Sequence, residues 1–160
     1  MQKKTRFLTQ SALIAALYVA LTYVSAALGI ASGAIQVRLS ETLTVLPAFA
    51  GAAVPGLFVG CLAANLLTGA TLWDIIFGSL ATLLGTLGTR CLGRKCYTAP
   101  IFPILSNTLI IPFVLKIAYG VGEGYSFLFL TIFLGEFISC GILGVMLYKA
   151  VKKTELFKNQ

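Results

Sequence analysis

Apolar residues fill this chain in long runs, broken by short joints that carry its charges, prolines and glycines. The first run extends from Phe7 to about residue 29, behind Met1-Gln2-Lys3-Lys4-Thr5-Arg6 and ahead of the small-residue stretch Ile30-Ala31-Ser32-Gly33-Ala34. Others cover residues 72–89, 100–116 and 125–148. A bilayer-crossing helix needs about 20 apolar residues, and each of these runs is near that length. The first could pass for a secretory signal, but its apolar part exceeds the ~7–15 residues of a signal core, and the rest of the chain is as apolar. It is read as a retained first span.

The run 39–69 needs a different treatment. As one helix it would be about 46 Å long at ~1.5 Å per residue, against a hydrocarbon thickness of about 30 Å. Charge decides how it divides. Ten of the twelve Lys and Arg residues fall in three places: Lys3, Lys4 and Arg6; Arg90, Arg94 and Lys95; Lys149, Lys152, Lys153 and Lys158. Short loops rich in Lys and Arg stay cytoplasmic, so an even number of crossings must separate each pair of clusters. One long helix through 39–69 would put three crossings between Arg6 and Arg90. The stretch is therefore expected to be a hairpin turning at Gly51-Ala52-Ala53-Val54-Pro55-Gly56, where Pro removes a donor and Gly permits a turn. Arms of about 14 residues must be tucked among longer helices or thin the membrane locally.

The expectation is a single membrane domain over residues 1–160. It is an all-α, six-transmembrane-helix bundle, with helices at about 7–29, 40–53, 56–69, 73–90, 100–118 and 125–149 and both termini cytoplasmic. No internal repeat is visible, which argues against the inverted-repeat secondary transporters.

Composition narrows the class. Charged residues make up only 11% and hydrophobic ones 58%, with a mean hydropathy of +0.95. A globular chain carries roughly 25% charged residues, so a water-coated domain is excluded, as are disorder and coiled coils. Histidine is absent, which removes the commonest general base and metal ligand together. Cys91 and Cys96 flank Gly93-Arg94-Lys95 but lack a second ligand pair and the usual spacing, so no zinc site is expected. The chain has no Walker lysine motif, and Gly120-Val121-Gly122-Glu123-Gly124 follows no strand, so neither offers a nucleotide site. No cofactor and no enzymatic activity is expected, and energy for any pumping must come from elsewhere.

An ionisable group at a helix centre costs about 2.5–3.5 kcal/mol on insertion scales. Glu136, in the middle of the last run, is the sharpest case: it is either bonded to a neighbouring helix or faces a cavity. Asn107 lies near mid-depth of the fifth helix and Asn65 about one turn from the outer end of the third. Gln36-Val37-Arg38-Leu39-Ser40-Glu41-Thr42 opens the second helix, and Asp74 follows Trp73 at the start of the fourth. Ser40 could instead cap the helix while Arg38 pairs with Glu41, since acidic residues are ordinary in a first turn. On the expected topology Glu41, Asn65, Asp74, Asn107 and Glu136 all fall in the outer half or at the midplane, which points to a polar cavity opening outward. Ala12, Ala16 and Ala20, and also Gly56 and Gly60, repeat at four-residue spacing, a flat stripe for close helix approach. That approach could be internal packing or docking to a separate membrane subunit.

At Gln36-Val37-Arg38-Leu39-Ser40-Glu41-Thr42-Leu43-Thr44-Val45-Leu46-Pro47 the sequence resembles the QueT family, substrate-binding (S) components of energy-coupling factor (ECF) transporters assigned to queuosine precursors. The likeness continues through Gly60-Cys61-Leu62-Ala63-Ala64-Asn65, Asp74 to Leu83, Asn107-Thr108-Leu109-Ile110-Ile111-Pro112 and Gly135-Glu136. It implies a bacterial plasma-membrane S component that takes its substrate from outside, docking through the alanine stripe onto a coupling subunit driven by two cytoplasmic ATPases. Lipid surrounds it, and no nucleic-acid partner is expected.

A 7-deazaguanine presents an N1/N2 donor edge, a carbonyl acceptor and a flat ring. A carboxylate accepts two such donors at once. Glu136 or Glu41 is expected to read that edge, with Asn65 and Asn107 completing it. The other acid would meet an aminomethyl cation. Asp74, Gln36 and Arg38 are candidate lining residues, with Arg38 bracing Glu41, and Trp73, Tyr119 or Tyr125 would cover the ring. The competing readings are an S component for another vitamin, or a small proton-coupled oligomeric carrier using Glu136.

Overall fold

The computed structural model describes residues 2–31, 35–93 and 95–154, the side chain of Gln2 excepted. Ser32, Gly33 and Ala34 of the small-residue stretch, and Arg94 and Lys158 of the basic clusters, lie outside the described residues. Among the described residues every regular element is helical. These are α1 (Gln2–Ala27), a 3₁₀ helix (Leu39–Ala48), α2 (Ala53–Leu67), α3 (Leu72–Cys91), α4 (Ile101–Ala118) and α5 (Tyr125–Glu136). The last continues through a π-helical segment (Phe137–Leu143) into α6 (Gly144–Thr154). Four stretches are long and apolar enough to cross a membrane: Lys3–Ala27, Leu72–Cys91, Ile101–Ala118 and Tyr125–Thr154; Ala53–Leu67 is apolar but shorter. The chain is an all-α membrane protein.

The second element departs from expectation. In place of an α-helix over 40–53 there is a 3₁₀ helix ending at Ala48, followed by a turn in which the N–H groups of Phe49 and Ala50 donate to Leu46 O. Two local features work against an α ladder here. Pro47 has no N–H to give, and the Thr44 hydroxyl donates to Glu41 O at 2.6 Å. At ~2.0 Å rise per residue, ten residues reach about 20 Å, against about 15 Å in an α-helix. The segment is buried nearly all round, through Ser40, Glu41, Leu43, Thr44, Val45, Leu46 and Pro47. It forms the axis on which α1, α3, α6 and the π segment pack. After the turn, Pro55 sits in the first turn of α2, where a missing N–H costs nothing because those groups have no intrahelical partner.

The two small-residue stripes have different fates. A Cβ at Gly56 would stand 2.7 Å from Ser11 O, and one at Gly60 would stand 2.9 Å from Tyr18 Cβ, so the bare backbone of α2 lies directly on α1. Ala12, Ala16 and Ala20 point away and are exposed. On its inner face α1 contributes Ile14 and Tyr18 to a core shared with Leu43, Leu46, Leu57 and Cys61.

Three contacts gather one end of the bundle. The Ser11 hydroxyl donates to Ala52 O at 2.8 Å, Arg90 Nη1 to Pro47 O at 3.2 Å, and Lys149 Nζ stands 5.7 Å from the Tyr97 ring centroid. This is the end carrying Arg90, Lys95 and Lys149. At the other end Lys116 Nζ donates to Glu123 O at 2.7 Å and the Thr71 N–H to Tyr119 Oη at 3.4 Å.

Candidate functional site

Costly side chains from the 3₁₀ helix, α4 and the α5–π junction come together in the interior of the bundle. Glu41, in the first turn of the 3₁₀ helix, is 1% exposed. Its Oε1 accepts a short bond from the Tyr18 hydroxyl and its Oε2 accepts from Asn107 Nδ2 at 3.4 Å. Glu136 closes α5, where the helix widens into its π segment, a distortion common at functional sites. Its Oε2 accepts from the Cys140 thiol at 3.2 Å. Cys140 also lies 3.4 Å from Glu41 O and from Thr44 Oγ1. The single thiol hydrogen can go to only one of these partners at a time.

Ligand atoms of Glu41, Glu136 and Cys140 all lie within 4.8 Å of one another. If both carboxylates are charged, they repel by roughly 3 kcal/mol at that separation and an effective dielectric of ~20. A cation placed between them removes that repulsion. The three groups could hold a metal ion, yet without imidazole and with the thiol already donating they suit a ligand ammonium at least as well.

Both acids line one narrow cavity with Gln36, Arg38, Asn107 and the hydroxyl-bearing wall of α3 at Thr82. The space left between them admits about one water molecule. Gly78, Ile111 and Ile132 complete the wall. The close approach of Gly135 to the Gln36 main chain, which leaves no room for a Cβ, fixes residue 36 against α5. Ser139 ties the same segment down: its hydroxyl accepts the Arg38 N–H at 3.2 Å, and its carbonyl accepts the Thr42 hydroxyl at 3.2 Å.

Asp74 and Asn65 form a separate group behind Gly78. Asn65 Nδ2 donates to Asp74 O at 3.2 Å, and the Tyr119 hydroxyl donates to Asp74 Oδ2 at 3.1 Å. Asp74 Oδ1 is buried without a partner. Only the bare Gly78 stands between this group and the cavity: a Cβ there would lie 3.0 Å from Asp74 Oδ1 and 3.2 Å from Asn65 Nδ2.

A model of the QueT transporter family matches residues 8–153. The chain belongs to the QueT family. No curated protein and no solved structure matches it. The matched stretch takes in every residue that lines the polar cavity, along with nearly all of the chain.

Several expected residues stand elsewhere in this QueT chain. Trp73 is half exposed, stacks on Phe77 at 5.5 Å, and lines an open apolar groove of about 250 Å³ with Leu109 and Phe113. Tyr125 packs on Phe113 at 5.2 Å beneath Lys116. Neither covers the polar cavity. Both occupy span ends, where aromatic rings anchor at the membrane interface. Asn65 does not line the cavity either, being committed to Asp74. Arg38 lines it but makes no ion pair with Glu41 within 4 Å, and the Ser40 hydroxyl is buried without a partner instead of capping the helix. Cys91 and Cys96 are free thiols.

Sequence reasoning missed Tyr18, Thr82 and Cys140. Cys140 was open to discovery, because a residue four after Glu136 shares its helix face. Tyr18 carried a weaker signal, being one of several hydroxyl-bearing residues in the first apolar run.

Proposed function

We propose that this QueT-family chain is the substrate-binding S component of an ATP-driven ECF importer. On this reading it captures a small heterocycle, a 7-deazaguanine queuosine precursor or queuine, from outside and hands it inward through a separate coupling subunit and two ATPases. The observation that carries the reading is the convergence of Glu41 and Glu136, from different helices, on one cavity with Asn107. Two buried carboxylates in a lipid-embedded bundle are too costly to keep for packing alone. A guanine edge with an attached ammonium supplies the donors and the cation they lack.

Glu41, steadied by Tyr18 and flanked by Asn107, reads the N1/N2 edge. Glu136 receives the aminomethyl cation, and Arg38 and Gln36 border the site. The exposed Ala12, Ala16 and Ala20 face of α1 docks on the coupling subunit. Six spans follow on this reading, namely α1, the 3₁₀ helix, α2, α3, α4 and the continuous rod from α5 through the π segment to α6, the 3₁₀ helix and α2 forming a short hairpin, with the basic end and both termini cytoplasmic.

The test is calorimetric titration of the purified protein with 7-aminomethyl-7-deazaguanine. Hydrogen bonds to charged groups are worth about 1.5–3 kcal/mol, so Glu41→Gln and Glu136→Gln should each weaken binding by about 10- to 150-fold. Unchanged affinity in both would remove the assignment. Uptake that needs no ATPase and follows the proton gradient would favour a proton-coupled carrier instead.

A further inference from the structure

Asp74 carries an oxygen that nothing answers. The residue is only 6% exposed; its Oδ2 accepts from the Tyr119 hydroxyl, while Oδ1 is buried without a partner. A place in the first turn of α3 accounts for the charge, since that end of a helix favours an acid. It does not account for the bare oxygen, because a buried acceptor left unpaired is costly. Donors on the Asp74 side are committed. Asn65 turns its amide nitrogen to Asp74 O and to the Cys61 sulfur, and Lys116, one turn before Tyr119 on α4, gives to Glu123 O.

The oxygen faces the cavity instead. Gly78 follows Asp74 by four residues on the same helix face and lines the cavity, and a Cβ there would stand 3.0 Å from Oδ1. Glycine thus leaves no side chain between the two. Across it is Arg38, which lines the same space and makes no ion pair among the described residues. Its main chain is held, the N–H donating to Ser139 Oγ at 3.2 Å, so the long side chain is the part that can swing. Burial penalises its charge, and of the acids around it Asp74 offsets that penalty most, ahead of Glu41.

The cavity has room for about one water molecule, so a bicyclic base enters only as side chains leave. A guanidinium kept beside an incoming ammonium would also repel it. Both difficulties fall on Arg38. We propose that Asp74 is its positioning residue: as cationic cargo enters, the guanidinium passes Gly78 and pairs with Asp74 Oδ1, leaving the space beside Glu41 and Glu136 to the cargo. The bare oxygen gains a donor, and the inner acids exchange an unpaired guanidinium for the cargo's own cation. This rests on the reading of the inner site given above and adds to it an acid that never touches cargo.

The test is a double-mutant cycle read by calorimetry with 7-aminomethyl-7-deazaguanine. Asp74→Asn keeps an acceptor for Tyr119 and removes the charge; it should weaken binding about tenfold, the equivalent of ~1.4 kcal/mol. Arg38→Gln alone should bind within about tenfold of the unmodified protein, and in that background Asp74→Asn should change affinity by less than about twofold. Arg38→Lys, which keeps a mobile cation, should restore the sensitivity. The ligand-free melting temperature of Asp74→Asn should not fall; where it does, Asp74→Ser is read in the same cycle with the same expectation. Equal weakening in both backgrounds would make Asp74 a structural residue, and binding lost outright in Arg38→Gln would make Arg38 a direct cargo contact. Either result, or no weakening at all, would overturn the pairing and leave the inner assignment standing. An unmodified protein that binds no probe would remove the inner assignment and this role for Asp74 with it.

Discussion

Glu41 has both carboxylate oxygens engaged, one by Tyr18 and one by Asn107, and almost no contact with solvent. Removing a donor there strands a buried acceptor, which costs about 1–3 kcal/mol. Tyr18→Phe keeps the ring and the Cβ that Gly60 packs against and deletes only the hydroxyl. It should lower the melting temperature in detergent and weaken binding of 7-aminomethyl-7-deazaguanine; if neither moves, the bond has no role in holding the acid. At this scale the sequence was readable where burial is expensive. Glu41, Asn107 and Glu136 stand out because lipid tolerates such groups only with a reason. Trp73 and Tyr125 are harder to read, because an aromatic at a span end fits a binding site and an interfacial anchor equally well. Arg38 lines the same cavity as Glu41 without closing on it as an ion pair, because proximity in sequence leaves the direction of a long side chain open.

Among the elements, α1 presents a sharp contrast between its faces. Its inner face meets the bare backbone of Gly56 and Gly60, while Ala12, Ala16 and Ala20 look outward. Gly60→Leu should force α1 and α2 apart and destabilise the protein by about 1–3 kcal/mol, the usual cost of overpacking. Ala16→Leu should leave stability within about 0.5 kcal/mol and abolish co-purification with the coupling subunit. Equal loss of stability in both, or a coupling subunit retained by Ala16→Leu, would show that the docking face lies elsewhere. Spacing of small residues announced both stripes and could not say which was internal. The 3₁₀ helix was equally hidden. A segment buried nearly all round has no stripe to fix its period, and the lone clue, Pro47, marks an interruption without naming the helix type.

Across the whole molecule, the contacts of Ser11 with Ala52, Arg90 with Pro47 and Lys149 with Tyr97 draw the basic segments to one end. On the proposed topology that end is cytoplasmic. Cys91 is exposed while Cys61 and Cys140 are buried, so a membrane-impermeant maleimide should label Cys91 in inverted vesicles and spare intact cells. Labelling from outside would reverse the orientation and, with it, the side from which cargo is taken. The most direct measurement is an experimental structure of the protein with 7-aminomethyl-7-deazaguanine bound. It should show the base between Asn107 and Glu41 and the ammonium against Glu136. Ligand density in the groove beside Trp73, with the Glu41–Glu136 cavity still closed, would contradict it.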